Sequence, residues 1–269
     1  MKDVQGERDL RNIPIDRVGV RNVHYPILVM DPCACTRGES PEQSTIATVS
    51  MSVHLPREYR GTHMSRFIET LEEYHGKISP ATLQAITRRL RERLEASEST
   101  LRFDFPYFVR KRAPVSGSES FMHYEVSLEA SSRKVGLTSQ EDFDMIVGVG
   151  VPVQTLCPCS REISEHGAHN QRAIVSLRVR CSGLVWFEEL IRMAEESASS
   201  PLFTLLKRED EKYVTEHAYE NPKFVEDVVR DLALLLDSEP RIMWYAVSVA
   251  SSESIHNHDA FAEIVRDKR

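Results

Sequence analysis

Two thiols and two imidazoles lie close together near the middle of the chain, in the segment TLCPCSREISEHGAHNQR. They are Cys157, Cys159, His166 and His169, out of five cysteines and ten histidines in all. Thiolate and imidazole groups are common protein ligands of zinc and similar divalent ions. The segment lacks the second Cys-x-x-Cys or paired His of a closed structural zinc site. This spacing therefore predicts that further ligands come from elsewhere in the fold, or that one coordination position is left to water.

Pro158 stands between the two thiols. Proline fixes its own φ and disfavours a helical conformation in the residue before it. We therefore expect Cys157 and Cys159 to be presented by a stiff, strand-like turn rather than by a helix. An inert buried thiol is the alternative for Cys157, and a turn-capping role is the alternative for His169. Their proximity in the chain favours metal binding or catalysis for both.

Several longer motifs surround this segment. CPCSREIS and GAHNQR are followed by EKYVTE, NPKFVED and ESIHNH, and they are preceded by HLPREYRGTHMSRF and YFVRKRAPVSG. Together these motifs closely resemble the prokaryotic type IB GTP cyclohydrolase family, over most of the chain and in the same order. The resemblance implies an enzyme that converts GTP and water into 7,8-dihydroneopterin triphosphate and formate, the first step of pterin and tetrahydrofolate biosynthesis. It also implies a homo-oligomer, expected to be a homotetramer, with sites between subunits.

The resemblance implies a metal site made by Cys157, His169 and Glu211. Attack of water on guanine C8 needs a hydroxide-like nucleophile, which a metal ion with an open position supplies by lowering the pKa of bound water. Zn2+ and Mn2+ both suit this mixed set of ligands, and Fe2+ is a further possibility. The assignment of Glu211 depends on the matched motif, because REDEK by itself is typical of a solvated charge run.

Further residues are implied in proton transfer. Cys159 is an alternative ligand, a proton-transfer group or a redox partner of Cys157. His256 corresponds to an active-site histidine of the family, and Glu253 is a second candidate for the same role. His256 and His258 would share a face if ESIHNH were an extended strand.

The remaining implied contacts are with the substrate. Glu226 is expected to accept paired hydrogen bonds from the N1 and N2 edge of guanine, a pattern that adenine lacks. Its structural alternative is an acidic residue that complements a helix dipole. The candidates for the triphosphate are His63, Arg66, Lys111 and Arg172, each of which could instead be ordinary solvated surface.

Two other functions remain open at this point. One is a tunnelling-fold nitrile reductase, in which a cysteine forms a covalent thioimide and NADPH supplies hydride. The nicotinamide signature of such an enzyme is not recognised in this chain. The other is a non-catalytic protein that binds zinc through its thiols, which predicts a saturated metal shell without guanine selectivity.

Composition limits the class of protein. The net charge of -7 over 269 residues argues against broad nucleic-acid binding. The sequence shows neither an apolar run long enough to span a bilayer nor a signal-peptide core, so a cytoplasmic location without membrane association is expected. An odd number of cysteines in a reducing compartment favours free thiols or metal ligands. Cys33 and Cys35 are predicted to lie in an exposed polar loop, and a second metal site there is the less favoured interpretation.

The elements that must position these residues follow from hydrophobic periodicity. Strand-like alternation and helical stripes predict strand, strand, helix, helix, strand, strand in each half of the chain. In the first half, Ser79 and Pro80 form an N-cap and N1 pair. In the second half, Asn221 and Pro222 are expected to open a helix that carries Glu226. The predicted fold class is α+β, with antiparallel sheets and paired helices on one side.

The resemblance names these repeats as two tandem tunnelling-fold modules of ββααββ order. The first module is expected at residues 1–135. The second is expected at residues 136–269 and carries the metal and guanine site.

Overall fold

The computed structural model describes residue 5 and residues 7–32, 40–135 and 141–268. The described residues form ten strands and six helices, so the predicted α+β class is confirmed. In chain order the elements are β1 (Ile15–Met30), β2 (Glu42–Leu55), α1 (Ser65–Glu72), β3 (Lys77–Ile78), α2 (Pro80–Arg93), β4 (Glu98–Arg112), β5 (Glu119–Lys134), β6 (Glu141–Leu156), α3 (Pro158–Ile163), β7 (Asn170–Cys181), α4 (Phe187–Glu196), β8 (Ser200–Pro201), α5 (Arg208–Glu220), α6 (Val225–Ser238), β9 (Ile242–Ser252) and β10 (Asp259–Asp267). Cys33 and Cys35 lie outside the described residues.

The chain forms two compact units. One contains the described residues up to Pro106 together with Ser127–Ile146, and the other contains Tyr107–Val126 and the described residues from Val147 onward. The long strands β4, β5 and β6 each contribute residues to both units. The predicted module boundary at residues 135 and 136 stays a prediction, because it adjoins residues 136–140, which lie outside the described residues.

The first unit follows the predicted order of elements except for the short strand β3 between its two helices. β1 pairs antiparallel with β2 and parallel with the short β3, and β2 pairs antiparallel with β4. A β-carbon on Gly19 of β1 would lie 1.9 Å from the carbonyl oxygen of Met51, so the close approach of β1 to β2 at this point requires glycine. Helix α2 begins as predicted, since Ser79 is its N-cap and the Ser79 hydroxyl accepts a hydrogen bond from Thr82 N at 3.2 Å.

The second unit is built on an antiparallel array in the order β6, β7, β9, β10. Alternate residues of β7 are buried, which is the pattern of a strand with one face on the core. Helix α6 packs against β9 and β10 through an apolar stripe that includes Val225, Val229, Leu232 and Leu236. Cys157, His169 and Glu253 adjoin the ends of strands in this array.

Three local predictions were wrong. Pro158 does not exclude a helix: Cys157 is extended as expected, but it is the N-cap of α3, and Pro158 is the first helical residue. Proline suits that position because the N–H it lacks would have no helical partner. Pro222 does not open α6, which begins at Val225 with Asp227 Oδ2 accepting a hydrogen bond from Phe224 N at 3.0 Å.

The third concerns α5, which the periodicity of the sequence did not predict. Asp210 and Ala218 are the buried residues of this helix. A helix that buries so little shows no apolar stripe for a pattern to detect. None of the helices among the described residues has the length and apolar character needed to cross a membrane.

Candidate active site

Cys157 and His169 face one another at the ends of two neighbouring strands. The last residue of β6 pairs with the first residue of β7, as Leu156 with Asn170. The chain continues this pairing by one step, because Cys157 N donates a hydrogen bond to the carbonyl oxygen of His169 at 3.1 Å. The two residues that the sequence singled out are therefore neighbours through their backbones, as a result of β-sheet register.

Ser160 ties these two residues to each other. Its backbone N–H donates to Cys157 Sγ at 3.4 Å, and its hydroxyl donates to the carbonyl oxygen of Cys157 at 3.2 Å. The same hydroxyl oxygen accepts a hydrogen bond from His169 N at 3.1 Å. Sequence reasoning missed Ser160, because a strand-like turn was expected here and not a helix with Cys157 as its N-cap.

A polar cluster lies beneath the imidazole. His169 Nδ1 lies 2.8 Å from Gln171 Oε1 and 3.7 Å from Glu253 Oε2. Gln171 Nε2 lies 3.2 Å from Thr155 Oγ1 and 3.3 Å from Glu253 Oε1. The side chains of His169 and Glu253 are 12% and 14% exposed, so the cluster is largely shielded from solvent. The structure thus joins Glu253 to His169 and adds Gln171, which the sequence analysis did not single out.

Among the described residues, Glu211 does not form a group of metal ligands with this pair. It is exposed in the first turn of α5, whereas Arg161 of α3 packs over the ring of Tyr219 in the last turn, at 4.8 Å. The two turns of α5 are about 12 Å apart along the helix axis. The described residues of a single chain contain no group of three His, Cys, Asp or Glu side chains that could hold a metal ion. The donor set therefore fits a metal in part: Cys157 and His169 are adjacent, and the described part of one chain adds no third ligand to them.

Glu226 is positioned by a backbone contact with the same strand end. Lys223 N donates a hydrogen bond to the carbonyl oxygen of Leu156 at 3.0 Å. The side chain of Lys223 forms an ion pair with Asp231, whose Oδ2 lies 2.7 Å from the ammonium nitrogen. Glu226 follows as an exposed residue in the first turn of α6, where the helix dipole favours a carboxylate. The expected guanine ligand and Cys157 are thus anchored to neighbouring points of the chain.

His256 and His258 occupy the turn between β9 and β10, so the extended strand in which they would share a face is not formed. Their rings nevertheless stack, with centroids 5.1 Å apart. His256 N donates to the carbonyl oxygen of Glu253 at 3.4 Å, and both imidazoles are exposed. Cys159 is also exposed, as the second residue of α3.

The four expected phosphate ligands differ in their burial and in their hydrogen-bond partners. Lys111 Nζ lies 2.5 Å from Glu195 Oε1 and 2.6 Å from the carbonyl oxygen of Leu202, and both charged side chains are 14% exposed. Burial lowers the pKa of Lys111, and the charge of Glu195 opposes this. A role for Lys111 in binding phosphate stays a prediction that this ion pair does not favour.

The other three stay predictions as well. Arg66 Nη1 donates to the carbonyl oxygen of Arg93 at 3.1 Å, and His63 precedes the same helix, α1. Arg172 is exposed on β7, opposite Gln154 of β6.

Asp210 fixes the start of α5 and was not predicted from sequence. Its side chain is fully buried and accepts hydrogen bonds from Val115 N, Ser116 N and Lys207 N at 2.8 to 2.9 Å, and from Ser116 Oγ at 2.6 Å. Burial alone would raise the pKa of Asp210, but these hydrogen bonds outweigh it and hold the pKa well below its usual value. Asp210 thereby joins the turn between β4 and β5 to the helix that carries Glu211.

Comparison with known sequences gives matches along the whole chain. A family model described as type I GTP cyclohydrolase folE2 matches residues 1–262. A relative from Fervidobacterium nodosum, named GTP cyclohydrolase FolE2, is 53% identical over 268 residues, covering 100% of this chain and 98% of its own. Relatives of the same name from Kosmotoga olearia and Geobacter sulfurreducens are 50% and 48% identical, each covering 100% of this chain and 99% of its own.

Comparison with solved structures identifies the fold. Uricase from Arthrobacter globiformis has a TM-score of 0.55 at 9% identity, covering 93% of each chain. Urate oxidase from Bacillus subtilis 168 has a TM-score of 0.55 at 10% identity, covering 94% of this chain and 98% of its own. Urate oxidases have the tunnelling fold, so the fold implied by the motifs is confirmed.

Proposed function

The chain belongs to the FolE2 family of type I GTP cyclohydrolases, and on this premise we propose that it converts GTP and water into 7,8-dihydroneopterin triphosphate and formate at the ends of β6, β7 and β9. The enzyme class and the first step of folate biosynthesis follow from the family. The proposed site is supported above all by the clustering of three residues at one end of the array. Cys157 is hydrogen-bonded through its backbone to His169, and the His169 ring lies beside the Glu253 carboxylate. Neither the nitrile reductase nor the non-catalytic zinc protein gains support from the relatives.

Recognition of the base is assigned to Glu226. Two carboxylate oxygens can accept hydrogen bonds from guanine N1–H and from the N2 amino group at once, whereas adenine presents a different edge. The contact between Lys223 and Leu156 supports this role, because it holds the start of α6 beside the end of β6, which Cys157 follows directly. The base would then bind at a fixed distance from the thiol.

A divalent ion, Zn2+, Mn2+ or Fe2+, is proposed at Cys157 and His169. Bound there, such an ion would lower the pKa of a water molecule for addition to guanine C8. Glu211 is the proposed third ligand. Because the described residues of one chain assemble no group of three such ligands, we propose that another subunit supplies Glu211. This arrangement agrees with the proposed homotetramer with sites between subunits.

Proton transfer is assigned to side chains around this pair. The ring nitrogen that leaves C8 must gain a proton as the imidazole ring opens. His256 and Cys159 are exposed groups that can deliver it, and His256 is tied through its backbone to Glu253. Glu253 beside His169 is the proposed acceptor of the proton released by water.

Since GTP is the substrate, we place the activity in the cytoplasm.

The test is incubation of metal-reconstituted protein with GTP, with formate and dihydroneopterin triphosphate measured together. We expect both products from the wild-type protein, and losses of at least about 100-fold in kcat/KM in Cys157→Ala and Glu226→Ala. Cys181→Ala is the matched thiol control, since Cys181 ends β7 at the opposite end of that strand, and it should retain activity. A reconstituted wild-type protein that forms neither product would refute the proposal.

A further inference from the structure

Gln171 lies at the centre of the largely buried polar cluster beside His169 and contacts its other members. It is 9% exposed, and it pairs in the sheet with Thr155 of β6. Its amide reaches three side chains, those of His169, Thr155 and Glu253. It has no charge, no nucleophile and no place among the expected ligands, so its contribution must come from how it orients its neighbours.

The orientation of this amide is determined by chemistry. Gln171 Nε2 lies 3.3 Å from Glu253 Oε1, and an ionised carboxylate can only accept hydrogen bonds. The reversed amide would place its carbonyl oxygen against that carboxylate oxygen. Thr155 Oγ1 accepts from the same amide nitrogen at 3.2 Å, and it is itself 3.3 Å from Ser251 Oγ. The amide nitrogen therefore faces Glu253 and Thr155, and the amide oxygen faces His169.

This orientation determines where the hydrogen of the imidazole resides. The amide oxygen of Gln171 lies 2.8 Å from His169 Nδ1 and can only accept a hydrogen bond. Nδ1 must then carry the hydrogen. The carboxylate of Glu253, 3.7 Å from Nδ1, favours the same arrangement. The lone pair of a neutral ring is consequently left on Nε2, on the opposite side of the imidazole from the buried cluster.

We propose that Gln171 is a positioning residue that holds His169 as the Nδ1–H tautomer, so that Nε2 is available to the divalent ion of the site. The second part of this inference rests on the proposed function. Residues that hold the distal nitrogen of a histidine ligand typically change metal affinity by about 10- to 100-fold when they are removed. Gln171 fills that position in this site, with Glu253 and Thr155 fixing its amide.

The test begins with the metal-free, full-length protein. Two-bond nitrogen–proton spectra of protein labelled in histidine, recorded at pH about 8.5 where an ordinary histidine is neutral, report the tautomer of each ring. The signals of His169 are assigned by their loss in His169→Asn. We expect Nδ1–H for His169 in the wild-type protein and a mixture of tautomers in Gln171→Leu. Gln171→Glu keeps an oxygen against Nδ1, so it should keep the Nδ1–H form.

A second readout is Zn2+ affinity, measured by competition with a chromophoric chelator. Gln171→Leu should weaken Zn2+ binding by about 10- to 100-fold. A wild-type His169 in the Nε2–H form, or a Gln171→Leu variant with an unchanged tautomer, would overturn the inference. A wild-type protein with His169 as Nδ1–H that binds no Zn2+ would support the role of Gln171 and remove the proposed metal, so the two failures are distinguishable.

Glu253→Gln provides an independent variant should Gln171→Leu fail to fold. An amide at position 253 can present either oxygen or nitrogen to Gln171, which frees the Gln171 amide to reverse. We therefore expect mixed tautomers at His169 in Glu253→Gln. A spectrum identical to that of the wild type would show that Glu253 does not fix the amide, and would overturn the proposed control of the tautomer.

Discussion

Lys111 extends from the end of β4 into a cluster that is largely hidden from water. Its ammonium lies 2.5 Å from Glu195 Oε1, and the hydroxyl of Tyr124 donates to the same oxygen at 2.8 Å. Burial raises the pKa of Tyr124 far above its usual value, so Tyr124 stays a donor. The ring of Phe203 lies 4.5 Å from the ammonium and adds a cation–π contact. The sequence presented Lys111 as one exposed cation among several, and the structure gives it a partner in the same unit.

Replacing Lys111 by methionine should destabilise the protein, because it leaves Glu195 charged and largely buried without its partner. Removal of one member of a buried ion pair costs about 3 to 5 kcal/mol. We expect a clear fall in Tm by calorimetry, with KM for GTP nearly unchanged in the protein that remains folded. The double variant Lys111→Met, Glu195→Gln should recover most of the loss, since no buried charge is then left unpaired. An unchanged Tm with a raised KM would instead identify Lys111 as a phosphate ligand.

Individual residues of the site differ in how well they could be predicted. The proximity of Cys157 and His169 was predicted from sequence, because few residues separate a thiol from an imidazole. Ser160 and Gln171 were missed, since hydroxyl and amide side chains are common and their roles depend on hydrogen bonds across strands. The role of Glu253 became clearer with the structure, because the register of β7 and β9 brings it beside Gln171.

Helix α5 shows how an element can be positioned by a single buried carboxylate. Asp210 receives hydrogen bonds from the chain at Val115, Ser116 and Lys207, and so connects two segments that are distant in sequence. The helix itself escaped prediction because its exposed faces carry no apolar periodicity. Elements with such periodicity, including the strands of the array and the helix after Ser79, were predicted well. The errors at Pro158 and Pro222 concern positions where proline is compatible with either side of a helix start.

Asp210 should also influence how stability changes with pH. Its folded pKa is depressed from 3.8, so the unfolded chain binds the proton more readily and the stabilisation is complete above about pH 4. It is lost as pH falls below that value. Asp210→Asn should have a lower Tm than the wild type at pH 7, with a difference that shrinks towards pH 3. Melting curves across this range test the expectation, with exposed Glu216→Gln on the same helix as control; a difference independent of pH would contradict it.

The molecule as a whole has a long strand at one edge of its array. β10 pairs with β9, and no further strand pairs with β10 among the described residues. Phe261 and Val265 on this strand are 73% and 57% exposed. An exposed apolar edge of this length is a template for pairing with another chain. This edge supports the proposed homo-oligomer, a property that the pattern of a single sequence cannot specify because it depends on a second copy.

Charges on β10 should therefore disrupt assembly. We expect the double variant Phe261→Asp, Val265→Asp to have a smaller mass than the wild-type oligomer in sedimentation experiments. If sites lie between subunits, its activity should fall in parallel. Leu234→Asp is the matched control, because Leu234 is 68% exposed on a helix rather than on the edge strand, and it should leave the mass unchanged. A double variant with the mass of the wild type would exclude β10 from the interface.

The hydrogen bond from Lys223 to Leu156 has a consequence for how the length of this chain can vary. Each residue of an α-helix turns the following ones by about 100°. One residue inserted after Val225, the first residue of α6, would swing the carboxylate of Glu226 around the helix axis while the thiol stayed in place. Deletion at this point would rotate it the other way. Functional variants of the enzyme should therefore keep the count of residues between Lys223 and Glu226, and accommodate changes in length in the loops that neither of them anchors.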